Sequence, residues 1–150
     1  MGIDVVFSAG GTDITIREMR TDDYDEVCEL WRKTQGMCLS NADRKENIQK
    51  FLARNSGLSL VCCHGNKIVG VVLCGHDGRR GHLYHVAVAE EYRGKGIGRK
   101  LVEICLGKLR AEGIDKCHIF VYPGNDIGNA FWKSAGWEKR DDIYVYSKSV

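Results

Sequence analysis

Residues 82–100 read HLYHVAVAEEYRGKGIGRK, and their reading decides the fold. The run to Val88 is apolar enough for a buried strand. A turn follows, then a glycine-rich loop, then the first turn of a helix. The loop is Arg93-Gly94-Lys95-Gly96-Ile97-Gly98. Its glycines let the backbone lie close to a ligand. The helix start offers free N–H groups and a partial positive charge. Arg93, Lys95, Arg99 and Lys100 add full charges. Such a loop is suited to a phosphate or pyrophosphate.

Two familiar phosphate loops do not fit. A Walker A loop ends in Lys then Ser or Thr, whereas Ile97 follows Gly-Lys-Gly here. A dinucleotide-binding G-x-G-x-x-G starting at Gly96 needs a third glycine where Leu101 stands, and it normally opens a domain. What remains is R-x-x-G-x-G after a strand.

Working outward, the chain has 150 residues, which predicts a single domain with a real core. Hydrophobic content of 43% and charged content of 28% are ordinary for a globular protein. A net charge of +2 is too small to argue for nucleic acid or an anionic membrane. There is no apolar run of membrane-spanning length and no leader-like start. Seven cysteines, mostly in apolar stretches and with no C-x-x-C pair, predict buried thiols in a reducing cytoplasm and no metal site.

Taken in order, residues 1–12 read as a loosely docked extension. Residues 14–19 alternate as a first strand. Thr21 is placed to cap a helix running to about Thr34, with Val27, Leu30 and Trp31 on its apolar face. A second helix is expected over residues 43–54. Residues 58–64 and 67–74 form a hairpin around Gly65-Asn66. Residues 82–88 are the fourth strand, 97–111 a helix and 116–121 the fifth strand. That β-α-β crossover makes strands four and five parallel. A short helix over 127–135 precedes two last strands, 137–140 and 143–147. The order is β-α-α-β-β-β-α-β-α-β-β, a mixed α/β sheet.

Three segments carry a family resemblance. Val86-Ala87-Val88 precedes the glycine loop. Asn125, Gly128, Phe131, Trp132, Gly136 and Trp137 keep the spacing N-x-x-A-x-x-[FL]-Y-x-x-x-G-[FWY]. Gly70 and Gly75 lie in the third strand. Together they resemble the GNAT acetyltransferase superfamily over roughly residues 14–148. The stretch 75–88 is further similar to small bacterial acetyltransferases related to YpeA. The resemblance implies the acyl-CoA N-acyltransferase fold, with strands four and five splayed. It implies that acetyl-CoA is the acetyl donor. Pantetheine would pair with the strand at Val86, Ala87 and Val88. Arg93, Gly94, Lys95, Gly96, Ile97, Gly98 and Arg99 would hold the pyrophosphate. Asn125 would meet pantetheine or simply cap its helix. Asn129 and Lys133 would touch the cofactor or be plain surface, and Trp132 stands in the cofactor wall. Trp31, Met37, Cys38 and Leu39 would face the acceptor or pack as core.

The implied reaction is direct attack of a primary amine in a ternary complex. The amine must first shed a proton. His82, Tyr84 and His85 are the candidates on the fourth strand. Alternation puts His82 and Tyr84 on one face and His85 on the other, unless a bulge intervenes. Glu18, Asp77, Glu90 and Glu91 are weaker candidates, and Asp77 would otherwise pair with Arg79 or Arg80. The family often has tyrosine where Trp132 stands, and an indole N–H supplies no proton near neutral pH. Water, Tyr144 or Tyr146 is left for that role, or the chain is an acyl-CoA sensor without efficient transfer. The acceptor's identity stays open between small molecule and protein. A homodimer is compatible with the resemblance, and the sequence leaves the oligomeric state open.

Overall fold

The hairpin around Gly65-Asn66 lies at the middle of a six-stranded sheet whose strands follow chain order. They are β1 (Val5–Ala9), β2 (Thr12–Glu18), β3 (Leu60–His64), β4 (Lys67–His76), β5 (Gly81–Val88) and β6 (Cys117–Ile119). Neighbours are antiparallel up to β5, and β5 and β6 are parallel, as the crossover requires. The computed structural model describes residues 4–150, in two compact units, residues 4–120 and Val121–Val150.

In the first unit the sheet is covered on both faces. Helices α1 (Tyr24–Arg32) and α2 (Lys45–Arg54) lie over one face, where Val27 and Trp31 pack with Val61, Val71, Leu73 and Ala87. Helix α3 (Ile97–Ala111) lies over the other, close enough that a Cβ on Gly70 would sit 3.2 Å from Ile97 and Leu101. Two covered faces explain why β4 is buried along nearly its whole length rather than alternating.

Three boundaries differ from the sequence reading. Residues 1–3 lie outside the described residues, but Val5–Ala9 is a strand paired with β2, not a loose extension. Gly10 and Gly11, with φ of 57° and 85°, supply the two-residue hairpin turn. Second, α1 starts at Tyr24. The Asp23 carboxylate accepts the Arg20 N–H and the Arg17 guanidinium, both at 2.8 Å, and fixes a 3-10 turn over Thr21–Asp23. Third, α2 starts at Lys45, because Asp43 accepts the Ser40 N–H at 2.9 Å and closes its own turn, Asn41–Asp43.

The second unit holds α4 (Asp126–Ser134). Asn125 caps it, its Oδ1 accepting the Gly128 N–H at 2.9 Å. Residues 137–140 and 143–147 form no strands. Alternation selects a face, but a strand needs a ladder partner, and none pairs with them among the described residues. Arg140 instead closes onto Asp142 at 2.8 and 2.9 Å. Among the described residues no helix is long and apolar enough to cross a membrane.

Candidate active site

β5 changes its surroundings halfway along. Gly81, His82 and Leu83 pair with Cys117, His118 and Ile119, and there the parallel ladder stops. Beyond Leu83 no strand among the described residues pairs with that edge, which is the expected splay. On the other edge the ladder with β4 continues, but Val72 lies opposite two residues, His85 and Val86. This is a β-bulge. His85 has φ 51°, a region non-glycine residues rarely enter and histidine enters more readily than most.

Side chains hold the bulge in place. The Trp31 indole N–H donates to the His85 carbonyl at 3.0 Å, and the two rings meet edge-on at 5.1 Å. His85 Nε2 lies 2.8 Å from Asp43 Oδ1. A carboxylate accepts, so Nε2 carries the proton in that bond. Asp43 is buried, its other oxygen takes the Ser40 amide, and the Tyr24 hydroxyl donates to its carbonyl at 2.6 Å. A backbone in this region costs about 1–3 kcal/mol and persists only where its surroundings over-determine it.

The bulge also resets the parity of the strand. His82, Tyr84 and His85 all lie toward α1 and α2. The Tyr84 ring meets Phe51 of α2 at 5.8 Å, His82 stacks on Tyr84 at 4.4 Å, and His85 meets Trp31 of α1. So the structure gathers the three base candidates on one side.

Their states differ. His82 Nδ1 lies 3.1 Å from the Leu83 carbonyl. A carbonyl only accepts, so Nδ1 carries the proton and Nε2 keeps the lone pair. That Nε2 is buried without a hydrogen-bond partner. Burial, aided by nearby His118 and opposed by the Leu83 carbonyl, pushes the His82 pKa below its ordinary 6.5, so the ring is neutral at pH 7. Burial pushes the Tyr84 phenol up, which keeps it protonated and makes it a donor rather than a base. The carboxylates named as weaker candidates are largely engaged. Asp77 accepts the Arg79 and Arg80 amides at 2.8 Å each, Glu18 accepts the Gly57 amide, and Glu91 meets Lys67.

The open edge of β5 leads to the glycine loop. Ala89 N–H donates to Val69 on β4 at 2.8 Å, so the backbone groups of Val88 face the open edge. Ala87, paired with Val71, faces β4, so the Val86 carbonyl at the other side of the same peptide points to the open edge. Arg93 Nε–H donates to the Val88 carbonyl at 3.0 Å, which leaves the Val88 N–H on that edge. One 3-10 turn (Glu90–Tyr92) then reaches the loop. Gly94 and Gly96 take φ of 75° and 84°, conformations that glycine enters without strain, and Gly96 is the N-terminal cap of α3. The first helical bond runs from Lys100 N–H to Gly96 O, so the amides of Ile97 and Gly98 precede the helical ladder. Ile97 is buried and anchors the helix start, and Arg99 is exposed. The Lys95 side chain runs beside Gly10, so the β1–β2 turn flanks the loop.

In the second unit, Asn129 Nδ2 donates to the Asn125 carbonyl at 2.9 Å and the Tyr122 carbonyl at 3.0 Å. Trp132 is buried and packs edge-on against Phe131 and Trp137. Trp31 is core, fully buried, whereas Cys38 and Leu39 are exposed.

Sequence reasoning missed Asp43, Phe51 and Phe120. Asp43 lies 42 residues from His85, and its local signal, Ser40-x-x-Asp43, announces a turn rather than a partner.

A mixed sheet with one splayed parallel pair, a bulge at the fork and a phosphate-type loop defines an acyl-CoA transferase class. Residues 24–137 match the acetyltransferase (GNAT) family, and the chain belongs to it and is an acyltransferase. Over 135 residues it is 32% identical to Acetyltransferase SG1711 of Sodalis glossinidius (strain morsitans), covering 90% of this chain and 94% of that one. Its fold is similar to that of PaiA N-acetyltransferase from Thermoplasma acidophilum in complex with coenzyme A. That likeness has a TM-score of 0.74 and 20% identity over 87% of this chain and 92% of that one. It is similar too to a predicted acetyltransferase with acetyl-CoA from Clostridium acetobutylicum, with a TM-score of 0.72 and 14% identity over 89% and 96% of the two chains.

Proposed function

We propose that this chain moves the acetyl group of acetyl-CoA to a primary amine by direct attack in a ternary complex. The observation that carries the reading is the open edge of β5 running into the Gly94–Gly98 loop. Val86 offers a C=O there, and Val88 an N–H. Unpaired backbone groups of this kind suit an extended amide chain added as a strand. The amides of Ile97 and Gly98 at the start of α3 suit a pyrophosphate. The family membership and the two complexes named above support the same cofactor.

Acetyl-CoA would supply an activated thioester carbonyl. His82 does the work of proton acceptance. Its Nε2 lone pair is fixed by the Nδ1 bond to Leu83, lowered in basicity by burial and left without a partner. Once the ammonium has lost its first proton to solvent, the amine would give a second proton to that nitrogen as the C–N bond forms; acetyl-CoA would supply the acetyl group, its C–S bond breaking and its sulfur leaving as the thiol with a proton from water. Asp43 and Trp31 hold the His85 bulge and so position the strand. Buried Cys62 and half-buried Cys117 take no part: burial pushes both thiols up to about 12, far from thiolate at neutral pH. They support a reducing compartment, the cytoplasm.

Calorimetric titration with acetyl-CoA tests this reading, with Gly96→Glu as control. Glu at φ 84° is strained and puts a negative charge at the helix start. Micromolar binding by the wild type that vanishes in the folded variant is expected. No binding by the folded wild type overturns the cofactor assignment.

A further inference from the structure

Four rings run in an unbroken row across the fork between β5 and β6. Phe51 of α2 meets Tyr84 at 5.8 Å, Tyr84 stacks on His82 at 4.4 Å, and His82 meets Phe120 edge-on at 4.5 Å. The row lies on the α1–α2 side at the point where the parallel ladder ends. Two of its members are far from buried: Tyr84 is 39% exposed and Phe120 66% exposed. Large aromatic surface left open at a strand fork marks a binding face more than a packing defect.

We propose that this row is the acceptor platform and that the acceptor is a primary amine carried by a flat aromatic group. The proposal rests on the acetyl-transfer reading above. The unpartnered Nε2 of His82 sits within the row, so a ring resting on the exposed edges of Tyr84 and Phe120 brings its amine toward the proton acceptor. The contacts already present, at 4.4–5.8 Å between centroids, are those that stacked and edge-on rings adopt, so another ring extends the same geometry. Charge argues against a polycationic acceptor. The carboxylate that reaches this strand, Asp43, is already held by His85 and the Ser40 amide. The row itself presents π faces and no carboxylate.

The test compares three amines by calorimetry against the wild type, alone and with coenzyme A present: 2-phenylethylamine, n-butylamine and spermidine. Phe120→Ala and Phe120→Leu remove the ring, the second keeping apolar bulk; both target an exposed side chain, so the fold tolerates them. Coenzyme A is titrated separately into each protein. The expected result is tightest binding of phenylethylamine, weakened about three- to tenfold in both variants while butylamine is unaffected. Equal or tighter binding of butylamine or spermidine, with or without coenzyme A, overturns the proposal. So does a variant that weakens every amine alike. The coenzyme A titration reads the parent assignment independently: its failure removes acetyl transfer, and a surviving aromatic preference still establishes the amine site.

Discussion

The first three residues of β5 and its last five are one strand with two different jobs. Gly81, His82 and Leu83 are laddered on both edges, and α3 closes over them so tightly that a Cβ on Gly81 would lie 2.6 Å from Leu109. Tyr84 to Val88 has one ladder only, interrupted by the bulge, and its shape is held by side chains from residues 31 and 43. The closed half gets its order from backbone pairing and packing. The open half has no second strand on that edge, and so depends on long-range side-chain bonds.

The largest expected effect comes from His82, the proposed proton acceptor at the fork. His82→Gln keeps the approximate size and is expected to lower kcat/KM by about 10²–10⁴-fold with the acetyl-CoA Kd unchanged. The wild-type rate should fall as pH drops through the lowered His82 pKa, below 6.5, and that limb should be absent in the variant. A pH–rate profile checks both. The sign for stability agrees: because the folded pKa is depressed, the contribution is full above 6.5 and is lost as pH falls from there through the folded value.

Breaking the closed half should cost stability alone. Gly81→Ala forces Leu109 to move and is expected to lower the unfolding free energy by about 1–3 kcal/mol, read as a lower Tm, with acetyl-CoA affinity retained. Trp31→Phe removes the N–H that satisfies the bulge carbonyl and is expected to cost about 1–2 kcal/mol. Unlike Gly81→Ala, it should also lower kcat. Equal damage to kcat from both variants would erase the distinction between the halves.

The glycine loop, the 97–111 helix and the parallel pair were legible because each is announced locally. Glycine spacing, an apolar stripe and a crossover too long for a hairpin are all short-range signals. The β1 strand went unread although Gly10-Gly11 is a hairpin signal; it is an edge strand, and exposed Val6 blurs its face. The alternation of residues 143–147 reads as a strand, yet periodicity cannot supply a ladder partner, and Tyr144 and Tyr146 are exposed. At the site, residue types on β5 were readable but their grouping was not. The bulge that brings His85 to the side of His82 depends on Trp31 and Asp43, which lie 54 and 42 residues away.

Trp31 also has a spectroscopic use. Its indole is sealed from solvent and touches an imidazole 5.1 Å away that in turn meets a carboxylate. Indole emission responds to the packing and polarity around the ring, so the chain carries its own optical probe of the fork. With Trp132 and Trp137 replaced by phenylalanine, fluorescence from the one remaining indole would follow the integrity of the bulge without any added label.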